Sequence, residues 1–128
     1  MKKIYLSFFA VLSLFTGCTN KQQITTLEPK QFSIAAQTDS TAVLLDVRQP
    51  SEFTESHLEG AINIDWLDKE TFATETKALD RAYTYYIYCR SGRRSNAAAT
   101  QLQAEGFKVV DLKGGILQWE EQGMPVVR

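Results

Sequence analysis

Short apolar runs alternate with segments of helical spacing from residue 24 to the end of the 128-residue chain. The apolar runs predict strands over residues 24–27, 41–47, 61–64, 83–88 and 107–112. The intervening segments predict helices that open at Pro29 and Pro50, lie within 65–79, cover 95–105 and resume at Ile116. The nearly continuous apolar run at 41–47 is typical of a strand covered on both faces of a parallel sheet. This alternation predicts an α/β fold, an open parallel sheet with helices on both faces.

Two helical segments differ in how clearly their apolar residues repeat. Residues 65–79 have imperfect periodicity, and Leu67, Phe72 and Leu79 are their candidate core contacts. In the 95–105 segment, Ala98 and Leu102 share one face, and the glycine that follows at position 106 suits the end of a helix.

The N-terminus has a different pattern from the rest of the chain. Lys2 and Lys3 precede an apolar stretch over residues 4–15, and residues 14–18 read Leu-Phe-Thr-Gly-Cys. This order is typical of an export signal, and its end resembles the lipobox of bacterial lipoproteins. We therefore expect a signal peptide at 1–17, a lipidated Cys18 with a tether to residue 23, and one domain at 24–128.

The export signal also predicts where the protein works. We expect it in the cell envelope, anchored to the membrane through the lipid on Cys18 and facing the periplasm or the exterior. The alternative is a membrane anchor that is never cleaved, although the apolar run is short for a span.

Composition and charge limit the classes of partner. The chain is 44% hydrophobic and 23% charged, as in ordinary globular proteins. Its formal net charge of −1 argues against a nucleic-acid partner, which usually requires a strong basic excess. We expect a monomer that binds small molecules.

The segment with the clearest chemistry is residues 89–95, Cys-Arg-Ser-Gly-Arg-Arg-Ser, between a predicted strand and a predicted helix. Ligands of open parallel sheets bind beyond the carboxyl ends of the strands, where Cys89 falls. A helix N-terminus and three nearby arginines favour a thiolate, so Cys89 is the predicted nucleophile. The loop's inward backbone amides would cradle an anion, and Arg94 is the strongest candidate for direct contact. The candidate anion-binding residues are Arg90, Ser91, Gly92, Arg93 and Arg94.

Other polar residues have a functional and a structural interpretation. Asp46 and Arg48 end a strand near the predicted site and could support the loop, but a buried ion pair or a cap explains them at least as well, and a structural role is favoured. His57, the one histidine, could act as a base, yet a thiolate needs none, and a structural role is favoured. Cys89 itself could be an inert buried thiol, but with Cys18 lipidated it has no disulfide partner, and reactivity explains it better.

Three blocks around the cysteine loop resemble a known family, the single-domain rhodaneses. They are Leu-Leu-Asp-Val-Arg at 44–48 with Pro50, Glu52 and Phe53, His-Leu-Glu-Gly-Ala-Ile-Asn at 57–63, and Leu-Lys-Gly-Gly-Ile at 112–116 with Trp119, Gly123 and Pro125. Ser56 and Glu59 depart from the family's usual glycine and proline. The resemblance implies a three-layer α/β/α domain with a central five-stranded parallel sheet.

The same resemblance implies a persulfide mechanism on Cys89. A sulfane-sulfur donor such as thiosulfate would load the thiolate, and a thiol or cyanide would accept the sulfur, without a metal or an organic cofactor. A non-enzymatic persulfide carrier or sulfur-sensing module stays open as an alternative.

A phosphatase or an arsenate reductase of the same fold is a weaker alternative. Cysteine phosphatases related to rhodaneses place five residues between cysteine and arginine, whereas here the sixth residue after Cys89 is Ser95. Arg94 comes one residue earlier, and in these families the tighter loop suits a single sulfur atom.

Overall fold

The computed structural model describes residues 23–128, and the predicted signal peptide and the lipidation site Cys18 lie outside these residues. The strands are β1 (Thr25–Leu27), β2 (Ala42–Asp46), β3 (Ile62–Asn63), β4 (Thr84–Tyr88) and β5 (Lys108–Leu112). The helices are α1 (Pro29–Thr38), α2 (Pro50–Glu55), α3 (Lys69–Lys77), α4 (Arg93–Ala104) and α5 (Gly115–Glu121). None of the helices within residues 23–128 has the length and apolar character needed to cross a bilayer.

The five strands form one parallel sheet in the order β1-β5-β4-β2-β3. Strand β4 lies at the centre, paired with β2 along its whole length and with β5 along most of it. Its carboxyl end therefore opens at the middle of the sheet edge, where a ligand can be reached from neighbouring loops. Residue Cys89 follows β4 directly.

Side chains of β4 alternate between two apolar cores, because successive residues of a strand point to opposite faces. Tyr85 and Ile87 pack with α3 and α4, whereas Tyr86 and Tyr88 pack with α1 and α5. Every apolar residue of β4 is nearly inaccessible to solvent, as expected of a strand covered on both faces. These two layers of helices confirm the predicted three-layer α/β/α architecture.

The predicted helix over 95–105 begins earlier, at Arg93. Gly92 precedes it with a φ of 105°, a conformation that glycine adopts easily, and its carbonyl oxygen accepts the N–H of Asn96 at 3.0 Å. The cysteine loop is consequently shorter than the sequence pattern indicates, and α4 starts only four residues after Cys89.

One predicted core contact is wrong. Leu67 is 52% exposed, whereas Phe72 is buried and Leu79 is half-buried. The N–H of Leu67 donates to Asp65 Oδ1 at 2.9 Å, and Asp68 caps α3 by accepting the N–H of Thr71. Leu67 therefore lies in the turn before the helix, outside the periodicity that buries Phe72.

Candidate functional site

The thiol of Cys89 lies in a tight loop between β4 and α4. The backbone N–H of Gly92 donates to Cys89 Sγ, with the nitrogen 3.1 Å from the sulfur. The residue is only 1% exposed, so little solvent reaches the thiol. An N–H aimed at the sulfur at the start of a helix stabilises negative charge there. The nucleophilic role of Cys89 stays a prediction.

One further contact holds the start of α4 against this loop. Ser95 is fully buried, and its hydroxyl donates to the carbonyl oxygen of Gly92 at 3.2 Å. The first turn of a helix has unpaired N–H groups, and here no side chain of the loop caps them. The positive end of α4 therefore stays directed towards the loop.

Helix α5 supports the loop from the other side, a role that the sequence pattern did not reveal. Ile116 and Leu117 donate their N–H groups to the carbonyl oxygens of Cys89 and Arg90, at 2.9 and 3.1 Å. A Cβ atom at Gly115 would lie 2.6 Å from the Cys89 carbonyl oxygen and closer still to that of Arg90. The sequence includes Gly115 only in the block at 112–116, and this close approach of two backbones is what requires a glycine there.

The three arginines of the loop have different surroundings. Arg90, in the loop, and Arg93, in the first turn of α4, are exposed, and we call the surface formed by these two residues the mouth of the loop. Arg94 is largely buried and forms two hydrogen bonds with Glu52 on α2, Nη1 to Oε1 at 2.8 Å and Nη2 to Oε2 at 2.9 Å. These bonds raise the pKa of Arg94 and lower the pKa of Glu52. The nearby Cys89 raises the pKa of Arg94 further. Contact of Arg94 with a substrate anion stays a prediction.

Asp46 and Arg48 form a buried ion pair, one of the two structural roles that the sequence left open. Arg48 Nη2 lies 2.7 Å from Asp46 Oδ2 and also donates to the carbonyl oxygen of Ser56 at 2.6 Å. Burial works against the charged guanidinium, but the hydrogen bonds and charge of Asp46 prevail and raise the pKa of Arg48. The pair fixes the chain after β2, from which α2 carries Glu52 to the cysteine loop.

His57 has structural contacts. Its Nδ1 lies 2.9 Å from the carbonyl oxygen of Phe53, and its ring stacks on the Phe53 ring with centroids 3.9 Å apart. Its backbone pairs with Val127, which ties the C-terminus to the domain. These contacts fix the segment that follows α2.

A buried acid behind the loop also escaped the sequence analysis. Asp111, on β5, is 3% exposed, and its Oδ1 has no hydrogen-bond partner among the described residues. Burial raises the pKa of Asp111 to about 6, and the nearby polar groups of Ser95, Asn96 and the Leu112 backbone offset this effect only in part. The sequence does contain a signal for this buried acid, because Asp111 lies inside an apolar strand and a carboxyl group there is desolvated.

The remaining titratable groups do not suggest a metal site. Within residues 23–128, no three side chains of histidine, cysteine, aspartate or glutamate cluster in a way that could hold a metal ion. The chemistry that the described residues can supply is that of one thiol, a helix N-terminus and surrounding cations.

Comparisons with known proteins agree with this geometry. The family model described as "Rhodanese-like domain" matches residues 29–122. The chain is 35% identical to thiosulfate sulfurtransferase PspE of Escherichia coli, over 66% of this chain and 77% of that protein. It is 31% identical to a sulfurtransferase of Allochromatium vinosum, over 66% of this chain and 78% of the relative. A rhodanese-related protein from Thermoplasma volcanium superposes with a TM-score of 0.72 at 31% identity, covering 80% of this chain and 97% of that one.

Proposed function

Because the chain belongs to the rhodanese-like domain family, we propose that it is a sulfurtransferase that carries a sulfane sulfur as a persulfide on Cys89. The observation that carries the proposal is the hydrogen bond from the Gly92 N–H to Cys89 Sγ at the start of α4. The same N–H can stabilise a thiolate before transfer and a persulfide anion after it.

In the loading step, the Cys89 thiolate attacks the outer sulfur of a donor such as thiosulfate. A sulfur–sulfur bond forms to Cys89 Sγ, the donor's own sulfur–sulfur bond breaks, and sulfite leaves with the bonding electron pair. Donor and thiolate are both negative, so the cations at the mouth of the loop lower the repulsion between them.

In the unloading step, a thiolate or cyanide attacks the outer sulfur of the persulfide. The new bond forms to the acceptor, and the electron pair of the broken bond returns to Cys89, which becomes a thiolate again. Both half-reactions balance without a cofactor or an external oxidant.

The short loop supports sulfur as the transferred group. Helix α4 begins at Arg93, and the Gly92 N–H already lies in hydrogen-bonding contact with Sγ. A tetrahedral phosphate or arsenate has three oxygens to accommodate beside the sulfur, whereas a persulfide adds a single atom. We therefore place sulfur transfer ahead of phosphatase or arsenate reductase chemistry.

The assay for this function is thiocyanate formation from thiosulfate and cyanide by the purified protein. We expect turnover by the wild type and by Cys18→Ser, a matched substitution of the other cysteine, and none by Cys89→Ser. Equal turnover by Cys89→Ser would refute the mechanism. A stable adduct of about 32 Da on Cys89 without turnover would instead identify a persulfide carrier.

The location in the cell envelope is part of the same proposal and rests on the N-terminal sequence. A lipid on Cys18 would hold the domain at a membrane surface, where it would meet donors and acceptors outside the cytoplasm. Mass spectrometry of the protein extracted from membranes should find a diacylated cysteine at the N-terminus. An unmodified Met1 or Cys18 would contradict the anchor without affecting the chemistry.

A further inference from the structure

The guanidinium of Arg94 is bonded through one edge to a single partner on another element, Glu52 of α2. Both of its terminal nitrogens donate to both carboxylate oxygens of Glu52, at 2.8 and 2.9 Å. The two side chains are only 21% and 25% exposed, so solvent screens this fork-to-fork pair less than a surface ion pair. An anion that approached this edge of Arg94 would have to compete with a carboxylate already bound in bidentate geometry.

Glu52 also changes the charge that the loop presents to a substrate. The positive charge of Arg94 lies near Cys89, but the carboxylate of Glu52 balances it at contact distance. Arg90 and Arg93 are different, because both are exposed and neither forms an ion pair with any residue of 23–128. The uncompensated positive charge at the mouth of the loop therefore comes from Arg90 and Arg93.

The anchoring of Glu52 explains how the pair can position the loop. Glu52 lies in the first turn of α2, where its N–H donates to the carbonyl oxygen of Gln49 at 3.0 Å. The buried pair of Arg48 and Asp46 fixes the chain just before this turn. The positive charge of Arg48 also helps to lower the pKa of Glu52. The bidentate bond thus connects the first turn of α4 to the first turn of α2, which follows the carboxyl end of β2.

We propose that Glu52 is a positioning and specificity-determining residue, which holds Arg94 as a support of the cysteine loop and leaves recognition of the donor anion to Arg90 and Arg93. The proposal rests on the proposed sulfur transfer and deepens it. It predicts a donor whose negative group stays at the mouth of the loop, as the SO₃ group of thiosulfate would when its outer sulfur reaches Cys89.

The decisive variant is Glu52→Gln/Arg94→Gln, which removes both charges, keeps the net charge and preserves the approximate shape of the pair. We expect its KM for thiosulfate to stay within about twofold of wild type, while kcat falls about fivefold because the loop is held less firmly. Arg90→Gln/Arg93→Gln should instead raise KM about tenfold. Glu28→Gln/Lys113→Gln, which neutralises an exposed pair of the same charges, is the matched control and should change neither constant.

Two kinetic outcomes would overturn the proposal. A KM for Glu52→Gln/Arg94→Gln that rises as much as for Arg90→Gln/Arg93→Gln would show that Arg94 binds the anion. An unchanged kcat would remove the positioning role. Circular dichroism of each variant shows whether it is folded. The single variant Glu52→Gln retains a hydrogen-bond acceptor for Arg94 and removes only the negative charge, so it provides the second test, by alkylation.

Alkylation of Cys89 tests the same charge assignment without sulfur transfer. Iodoacetate and iodoacetamide differ in one negative charge, so their rate ratio at Cys89, measured on the Cys89 peptide by mass spectrometry, reports attraction of an anion. Glu52→Gln should raise this ratio about threefold, because it uncovers the charge of Arg94, and Arg90→Gln/Arg93→Gln should lower it about as much. These ratios without thiosulfate turnover would refute the sulfurtransferase function and support the role of Glu52. A ratio that falls in Glu52→Gln/Arg94→Gln as in Arg90→Gln/Arg93→Gln would overturn that role.

Discussion

The backbone N–H of Ile116 donates to the carbonyl oxygen of Cys89 across 2.9 Å, so the first turn of α5 is bonded to the residue that carries the thiol. This bond requires the two backbones to approach more closely than any side chain at position 115 allows. Gly115, which lies 26 positions after Cys89 in the chain, therefore helps to determine the shape of the cysteine loop.

Replacing Gly115 with alanine should therefore damage the site as well as the fold. The added Cβ would overlap the carbonyl groups of Cys89 and Arg90, and the φ of 62° adds strain for any residue with a side chain. We expect a loss of about 3 kcal/mol of stability and at least a tenfold slower persulfide loading. Urea unfolding and loading of Cys89 by thiosulfate, followed by mass spectrometry, measure the two effects.

Gly123→Ala is the matched control for this substitution. Gly123 has a similar φ of 75°, but a Cβ there would meet no atom within 4 Å. It should cost only the strain of the left-handed backbone, about 1 kcal/mol, and leave loading unchanged. Equal effects of the two substitutions would mean that backbone strain, not the contact with the loop, makes Gly115 necessary.

The buried pair of Arg48 and Asp46 gives a second prediction. Arg48→Leu would leave the carboxylate of Asp46, which is fully buried, without its partner. An uncompensated buried charge typically costs about 3 to 5 kcal/mol, which should appear in urea unfolding. Lys113→Ala breaks an exposed pair with Glu28 and should cost less than about 1 kcal/mol. A loss for Arg48→Leu as small as for Lys113→Ala would show that solvent reaches Asp46.

The order of elements and the position of Cys89 could be predicted because they depend on local signals. Apolar runs, prolines at helix starts and the cysteine between strand and helix are all visible within a few residues. The pairing of Asp46 with Arg48 could also be predicted from local sequence, because two opposite charges two residues apart at the end of an apolar strand need partners when they are buried.

Contacts between distant segments could not be predicted in the same way. The bond between Glu52 and Arg94 joins residues 42 positions apart, and nothing in the polarity pattern distinguishes Glu52 from an ordinary acid in a first helical turn. The same limit explains why the sequence did not distinguish Arg94, which is bonded to Glu52, from Arg90 and Arg93, which are exposed. The prediction that Leu67 is a core contact is wrong for a local reason, because the turn made by Asp65 and Asp68 shifts the start of α3.

Tyr88 gives a third prediction, because its hydroxyl is the hydrogen-bond acceptor of a buried backbone group. The N–H of Leu58 donates to this oxygen at 3.0 Å, and both residues are nearly inaccessible to solvent. Tyr88→Phe should leave that N–H unpaired and cost about 1 to 3 kcal/mol in urea unfolding. Tyr83→Phe, at a tyrosine that is 44% exposed, should change stability by less than about 0.5 kcal/mol. Equal stabilities would indicate that water replaces the lost hydroxyl.

The last prediction concerns the pH dependence that Asp111 adds to stability. Burial raises the pKa of this carboxyl from 3.8 to about 6, so the folded protein binds the proton more tightly than the unfolded chain does. The contribution of Asp111 therefore favours the folded state most below pH 3.8 and is lost as the pH rises through about 6. Two pKa units correspond to about 2 to 3 kcal/mol.

Asp111→Asn isolates this contribution from the acids that destabilise the protein at low pH, such as Glu52. Asparagine has nearly the same shape and cannot ionise, so the variant should lack the loss of stability between pH 4 and 7. We expect the stability of Asp111→Asn relative to wild type to rise by about 2 to 3 kcal/mol across that interval in urea unfolding. A constant difference would mean that Asp111 titrates at its ordinary pKa in the folded protein, and hence that water reaches the orphaned Oδ1. Because Asp111 lies against Ser95 at the start of α4, such water would also lie directly behind the cysteine loop.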